Sequence, residues 1–315
     1  MEYIFLVIGI VLLIKCADIF VDGSSNIAKF LGVPSLVIGL TIVAFGTSAP
    51  EAAVSITAAL SGQNDISIGN VVGSNICNLL LVLGLSALFN PLKAKKDIIF
   101  RDYLFSLLSY IVLLFLVVDS FIENKGTSYI TFSEGLILLS FLVVYLYSLL
   151  ISSLKNKEEK KEKEKRTKFE FKNIIYIIVG LIGIILGGNL VVEGATKIAK
   201  SLNITENLIA LTIVAIGTSL PELVTSIVAA KKKETDIAIG NVLGSNVFNI
   251  FFIVGTSSTL SPLSLNIESL IDIVIMTIVG IIIYIFILKD KKITRKSGIL
   301  MLLMYLAYML YIILR

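Results

Sequence analysis

Apolar stretches long enough to cross a bilayer recur along the whole chain, and short polar or charged segments separate them. The plainest lie within residues 1–14, 103–118, 135–151, 174–192, 270–288 and 298–314. A helix rises about 1.5 Å per residue, so roughly 20 mainly apolar residues cross a hydrocarbon core about 30 Å thick. On that measure the pattern predicts ten spans, near 1–21, 33–60, 66–89, 101–119, 130–153, 173–193, 205–230, 237–260, 267–288 and 297–314. The first apolar run has no basic segment before it and no small-residue cleavage site after it, so it reads as the first span rather than a signal peptide. The expected fold is an all-α polytopic membrane protein.

Composition points the same way. Of the 315 residues, 56% are hydrophobic and only 16% charged, against about 25% charged in soluble proteins. A soluble fold of this chain would lack a polar surface. There is no histidine, which removes imidazole metal sites, histidine proton relays and Ser–His catalysis together. No paired aspartates on adjacent spans suit an intramembrane protease, and the chain reads as a non-enzyme. The two cysteines, Cys16 and Cys77, both lie in apolar segments and predict neither a disulfide nor a thiolate metal centre. The net charge of +4 comes from loop lysines rather than a nucleic-acid surface. The expected surroundings are lipid, with no nucleic-acid partner and no obligate protein partner.

Basic residues sort onto alternate loops. Lys93, Lys95, Lys96 and Arg101 lie in 90–101; 154–172 is lysine-rich; residues 231–233 are KKK; and 289–296 holds Lys289, Lys291, Lys292, Arg295 and Lys296. Loops 61–65, 120–129 and 261–266 together offer only Lys125. The positive-inside rule then puts the basic loops in the cytoplasm and both termini outside, in a multi-pass protein of the cell membrane.

The chain also repeats itself. Residues 39–55 read GLTIVAFGTSAPEAAVS and residues 210–226 read ALTIVAIGTSLPELVTS, with eleven of seventeen positions identical. The 171-residue offset that joins Glu51 to Glu222 also joins DISIGNVVGSN (65–75) to DIAIGNVLGSN (236–246), and Asn78 to Asn249. Equivalent loops differ in charge. SGQND (61–65) faces KKKET (231–235), and KAKK (93–96) faces the lysine-free SLSLN (262–266). Equivalent loops on opposite sides require an odd number of spans per repeat. The expected architecture is two inverted-topology five-helix repeats, 1–153 and 173–315, joined by a charged cytoplasmic linker at 154–172.

Glu51 and Glu222 stand inside apolar runs, where an ionisable group needs a functional reason. Thr47 lies four residues before Glu51 and Ser48 three, so all three can share a helical face. Pro50 has no N–H and clashes with the Gly46 carbonyl, so a kink is expected to release main-chain oxygens near Ala44 and Gly46. Pro221 repeats this beside Thr218, Ser219 and Glu222. In the second motif Ser74 and Asn78, mirrored by Ser245 and Asn249, add hydroxyl and amide oxygens. Asn70, Asn75, Asn241 and Asn246 read as braces. Carboxylate, hydroxyl, amide and carbonyl oxygens are hard ligands suited to Ca²⁺ or Na⁺. Gly180, Gly183, Gly187 and Gly188 are expected to serve close helix packing.

GTSAPE with GNVVGSNICN, and GTSLPE with GNVLGSNVFN, resemble the paired alpha repeats of the sodium/calcium exchangers, within the calcium/cation antiporter superfamily. The chain looks like a minimal, prokaryotic-type member, because the regulatory domains of eukaryotic relatives would interrupt the linker. The resemblance implies Na⁺/Ca²⁺ antiport by alternating access at a midplane site, with both ions as cargo and no cofactor. It implies Glu51 and Glu222 as ligands shared by the two ions. Thr47, Ser48, Thr218 and Ser219, with carbonyls at Ala44 and Ala215, would build flanking sodium sites, and Ser74, Ser245, Asn78 and Asn249 would complete the constellation. Some members, including the potassium-coupled branch, have aspartate where this chain has Asn249, so the asparagine argues against potassium co-transport. A proton/calcium antiporter using the same glutamates is the alternative.

Overall fold

The computed structural model describes residues 2–122, 128–160, 170–202 and 215–315. The first half begins with α1 (Glu2–Leu31), followed by α2 (Ser35–Thr47) and α3 (Ala49–Leu60), a pair bent by 49° at Ser48. α4 (Asn64–Phe89) leads into a short strand, β1 (Leu92–Lys93). α5 opens with a π turn at Ile98–Asp102 and continues as Tyr103–Ile122, and is followed by β2 (Ser128–Ile130) and α6 (Phe132–Lys160). The second half starts with α7 (Lys172–Ser201). α8 (Ala215–Thr218) and α9 (Leu220–Lys231) form the described part of the span expected at 205–230, whose earlier residues lie outside the described set. α10 (Thr235–Leu260), β3 (Leu263–Leu265), α11 (Ile267–Asp290), β4 (Lys292–Ile293) and α12 (Arg295–Leu314) complete the chain.

Among the described residues, eight helices are long and apolar enough to cross a membrane, nine with the bent pair α2–α3 counted. Of the expected linker 154–172, residues 161–169 lie outside the described set, and so does Lys125. α6 runs on to Lys160, so the charged stretch begins as a continuation of the helix rather than at its end.

Two observations make the halves inverted. α1 and α7 hold equivalent places, and they pack antiparallel. A Cβ added at Gly9 would meet Gly187 O at 2.8 Å, one at Gly23 would meet Asn173 O at 2.8 Å, and one at Gly194 would meet Glu2 O at 2.8 Å. Residues 2, 9 and 23 thus lie against 194, 187 and 173. Helices that are symmetry mates and run antiparallel require a two-fold axis perpendicular to both, in the plane of the membrane. The strands repeat the result. β1 pairs antiparallel with β4 (Leu92 opposite Ile293), and β2 with β3 (Tyr129 opposite Ser264). α5 carries the chain across the bundle between β1 and β2, and α11 does so between β3 and β4. The equivalent strands β1 and β3 therefore cap opposite ends.

Burial separates the helices into two groups. The apolar windows of α10 and α4 are 94% and 78% buried, against 17% for α12 and 22% for α6. α4 and α10, which carry the GN…GSN motifs, form the enclosed centre. α12, α6, α1 and α7 turn leucine, isoleucine and valine side chains outward, as helices bordering lipid do.

Candidate ion site between the repeats

The chain breaks at the same place in each half. Ser48 adopts φ −83° and ψ 4°, and Ser219 adopts φ −87° and ψ 4°, outside helical geometry. A new helix starts after each serine, with proline in its first turn, where the missing N–H costs nothing. Glu51 and Glu222 fall in those first turns. The unpaired N–H groups there carry partial positive charge and favour a carboxylate. The expectation that the proline kink releases the Ala44 oxygen does not hold. Ala44 O accepts the Ser48 N–H at 3.0 Å, and the Thr47 and Ser245 hydroxyls lie 3.4 Å from it. The break falls two residues before Pro50; the proline has no N–H for Gly46 O, and a backbone N–H at the end of α2 serves that carbonyl instead. In the second half the Ser219 N–H donates to Ile216 O at 3.1 Å, while Ala215 opens α8.

The expected side chains converge across the two-fold axis. Glu51, Glu222, Thr47, Ser48, Ser74, Asn78, Ser219, Ser245 and Asn249 are all buried. The Ser48 hydroxyl donates to Glu222 Oε1 at 2.9 Å, and Ser219 to Glu51 Oε1 at 3.4 Å. Each serine thus serves the glutamate of the other half. Ser245 reaches Glu222 Oε1 at 3.5 Å, and Ser219 also reaches Ser74 Oγ at 3.2 Å. Thr47 donates to Asn241 Oδ1 at 3.0 Å and Thr218, only half-buried, to Asn70 Oδ1 at 3.2 Å. Asn241 in turn donates to Glu222 O at 3.3 Å and Ser226 Oγ at 2.9 Å; Asn70 does the same to Glu51 O at 3.3 Å and Ser55 Oγ at 2.9 Å.

A second ring of amides closes the centre. Asn75 Nδ2 donates to Asn246 O at 3.3 Å and Asn246 Nδ2 to Asn75 O at 3.4 Å. A main-chain carbonyl only accepts, so these bonds fix which end of each amide is nitrogen. The side-chain oxygens of Asn75 and Asn246 are then left to accept from Asn249 Nδ2 and Asn78 Nδ2, at 3.0 Å each. The Asn78 and Asn249 oxygens must point the other way. Both asparagines begin π turns, Asn78–Val82 and Asn249–Val254, whose extra residue per turn re-aims the side chain.

Among the described residues, four buried oxygens in this cluster have no hydrogen-bond partner: Glu51 Oε2, Glu222 Oε2, Asn78 Oδ1 and Asn249 Oδ1. Two come from each half, in mirrored positions. Burying such acceptors unpaired costs free energy, most of all for carboxylates. A hard cation is the partner whose chemistry matches them. Sequence reasoning identified all four, and it read the second amide set as braces. It missed Tyr110, whose hydroxyl accepts from Asn246 Nδ2 at 2.7 Å. Tyr110 lies in α5, outside both repeated motifs, and nothing in its local sequence marks it.

The two ends of the bundle differ. A cleft of about 280 Å³ reaches in from the C-terminal half of α7, lined by Asn189, Val192, Glu193, Gly217, Thr218 and both prolines that precede the glutamates, among others. At the mirrored place on the opposite end stands a cluster of ion pairs. Lys232 Nζ contacts Asp18 Oδ1 at 2.8 Å and Asp22 Oδ1 at 2.7 Å, and the Ser25 hydroxyl donates to Glu234 at 2.7 Å. Burial works against the Lys232 ammonium, but the hydrogen bonds and charges of Asp18 and Asp22 outweigh it and hold its pKa above the ordinary lysine value.

Inverted halves, broken helices and paired carboxylates at their crossing define the architecture of a secondary membrane transporter. A family model described as "sodium/calcium exchanger protein" matches residues 1–151 and 172–314. The chain is 35% identical over 341 residues to the sodium/calcium exchanger MaX1 of Methanosarcina acetivorans, covering 98% of this chain and 97% of that one. It is 38% identical over 269 residues to the putative antiporter CaxA of Alkalimonas amylolytica, covering 82% and 81%. Its fold matches the solved structure of the sodium-calcium exchanger NCX_Mj with a TM-score of 0.83 at 33% identity, over 99% and 98% of the two chains. The chain belongs to the sodium/calcium exchanger family.

Proposed function

We propose that the protein is a secondary active antiporter that exchanges Na⁺ for Ca²⁺ at the crossing of its two repeats, by alternating access. The observation that carries this reading is the set of four unpartnered buried oxygens on Glu51, Glu222, Asn78 and Asn249. Two carboxylates balance the charge of one Ca²⁺, and two amide oxygens add neutral ligands. Further oxygens stand close by on Ser48, Ser219, Ser74 and Ser245, and Thr47, Thr218 and the carbonyl at Ala215 flank them as sodium ligands, joined by the Ala44 carbonyl once an ion replaces its long contacts with the Thr47 and Ser245 hydroxyls, 3.4 Å each. Because both ions need the same glutamates, loading with one excludes the other. The empty site leaves two bare carboxylates in an apolar bundle and resists crossing the barrier, whereas either load removes that obstacle. Ions enter from one side through the cleft beside Thr218. The first span of each repeat, α1 and α7, moves as a pair against the α4–α10 centre. The repeats are 1–153 and 173–315, with 154–172 as the linker on the cytoplasmic side and both termini outside.

The test is sodium-gradient-driven uptake of radiolabelled calcium into proteoliposomes at clamped pH. The native protein is expected to accumulate calcium only when sodium leaves. Glu51→Gln and Glu222→Gln keep the side-chain shape and remove the charge, and each is expected to abolish exchange while the purified protein stays folded. Native-level exchange in either variant would overturn the site. Uptake that follows a proton gradient and ignores sodium would establish proton coupling instead.

A further inference from the structure

We infer that Tyr110 is a positioning residue that holds the Asn78 side-chain oxygen toward the transported ions, acting through Asn246. The inference rests on the proposed ion site and adds to it a residue from outside the repeated motifs. An asparagine has an oxygen end and an amino end, and a half-turn of the amide exchanges them. Only the oxygen attracts a cation. Asn78 keeps its amino end away from the site by donating to Asn246 Oδ1 at 3.0 Å. That bond requires Asn246 to keep its own oxygen on that side.

Asn246 does so because its Nδ2 is held elsewhere. It donates to Tyr110 OH at 2.7 Å and to Asn75 O at 3.4 Å, the second at the long limit of a hydrogen bond. Tyr110 OH lies 2.6 Å from Ser106 Oγ. Having accepted from Asn246, the tyrosine hydroxyl has its own proton to give to Ser106. Tyr110, Ser106 and Asn246 are all 0% exposed, so bulk water does not reach these bonds. The result is a buried chain from Ser106 through Tyr110 and Asn246 to a ligand oxygen.

The mirrored brace has no such anchor. Asn75 Nδ2 donates to Asn246 O at 3.3 Å, its oxygen accepts from Asn249, and it has no hydroxyl partner among the described residues. The corresponding stretch of α11, Ile278, Val279, Gly280 and Ile281, carries no hydroxyl at all. Two ligands that look equivalent in sequence are therefore held with unequal firmness. Asn78 is locked oxygen-inward by α5, and Asn249 is not.

Tyr110→Phe tests this, because the ring that packs on Gly280 is kept and only the hydroxyl is lost. Half-saturating calcium in sodium-driven uptake is expected to rise about five- to tenfold, the loss of one well-formed buried hydrogen bond, with the maximal rate little changed. Ser106→Ala is expected to shift it in the same direction by less. Two further backgrounds separate positioning from packing. In Asn78→Asp the ligand has no amino end, so adding Tyr110→Phe should move calcium half-saturation by less than about twofold. In Asn249→Asp the full effect of Tyr110→Phe should remain. Calcium-dependent thermal shifts of the purified proteins read the same affinities where transport is slow. An unchanged half-saturation in Tyr110→Phe overturns the inference, and so does an equal effect in both aspartate backgrounds. Glu51→Gln is run alongside: if it still transports, the ion site itself has failed, whereas an inactive Glu51→Gln with an unaffected Tyr110→Phe removes Tyr110 alone.

Discussion

At the scale of single residues, the proposed site is an arithmetic of charge among fully buried side chains. Two carboxylates and two amide oxygens carry a formal charge of −2, which one Ca²⁺ balances. Asn249→Asp raises that to −3 and needs an additional cation, or a proton on one of the carboxyls, to restore balance. The native protein is expected to exchange calcium for sodium with no requirement for potassium. The variant is expected to become more sensitive to pH or to let potassium contribute. Calcium uptake driven by sodium, with potassium present or replaced by a large organic cation, across a pH series, reads both. A native protein that stops without potassium would overturn this reading of Asn249. A variant with neither new dependence would place residue 249 away from the ions. The glutamates were legible in the sequence because an ionisable group in an apolar run is costly to bury and contributes nothing to packing that leucine would not. The partners of Asn78 and Asn249 were not. They depend on bonds such as Asn78 to Asn246, 168 residues apart, and Asn246 to Tyr110, 136 residues apart, which exist only once the halves interleave.

At the scale of elements, long apolar runs predicted the helices well but hid their interruptions. Proline marked each broken span, yet the break falls at Ser48 and Ser219, where the backbone leaves helical geometry, and proline only begins the next helix. The π turns at Asn78 and Asn249 leave no signature, since one extra residue per turn preserves the apolar pattern. Close packing of α7 was legible from its glycines, with one exception. A Cβ at Gly187 would meet Leu13 N at 2.9 Å and Gly9 O at 3.0 Å, main-chain atoms that cannot move aside cheaply. One at neighbouring Gly188 would find only the Pro221 ring, at 3.9 Å. The two therefore respond in opposite directions to the same change. Gly187→Ala forces α1 and α7 apart and is expected to destabilise by about 1–3 kcal/mol. Gly188→Ala removes helix-interior glycine without a clash and is expected to be neutral or to gain up to about 1 kcal/mol. Thermal midpoints of the detergent-solubilised proteins check the pair. Equal losses would mean that α1 and α7 do not meet at this register.

At the scale of the whole molecule, one two-fold axis organises the strand pairs, the α1–α7 contact and the exchanged serine–glutamate bonds. Its direction was legible from charge alone, because loops of equal rank in the two halves carry opposite basic content. The strand pairs β1–β4 and β2–β3 were not legible, since runs of two or three residues carry no pattern. The same axis makes the asymmetries informative. Lys232, with Asp18 and Asp22, occupies one end, and its mirror position at the opposite end is Ser61. Solvent labelling of single cysteines tests the arrangement in sealed right-side-out vesicles, first in a cysteine-free background retaining exchange. The loop Ser61–Asp65 and the loop 231–233 should label from opposite sides with an impermeant reagent, because they are symmetry mates across an in-plane axis. The positive-inside rule further assigns 231–233 and position 160 to the protected, cytoplasmic side and leaves a C-terminal tag accessible. A swap of all sides at once would correct the orientation and leave the fold intact. Labelling of both loops from one side is the outcome the fold forbids, because α1 and α7 would then have to run parallel, and the contacts of Gly9 with Gly187 and Gly23 with Asn173 could not both form.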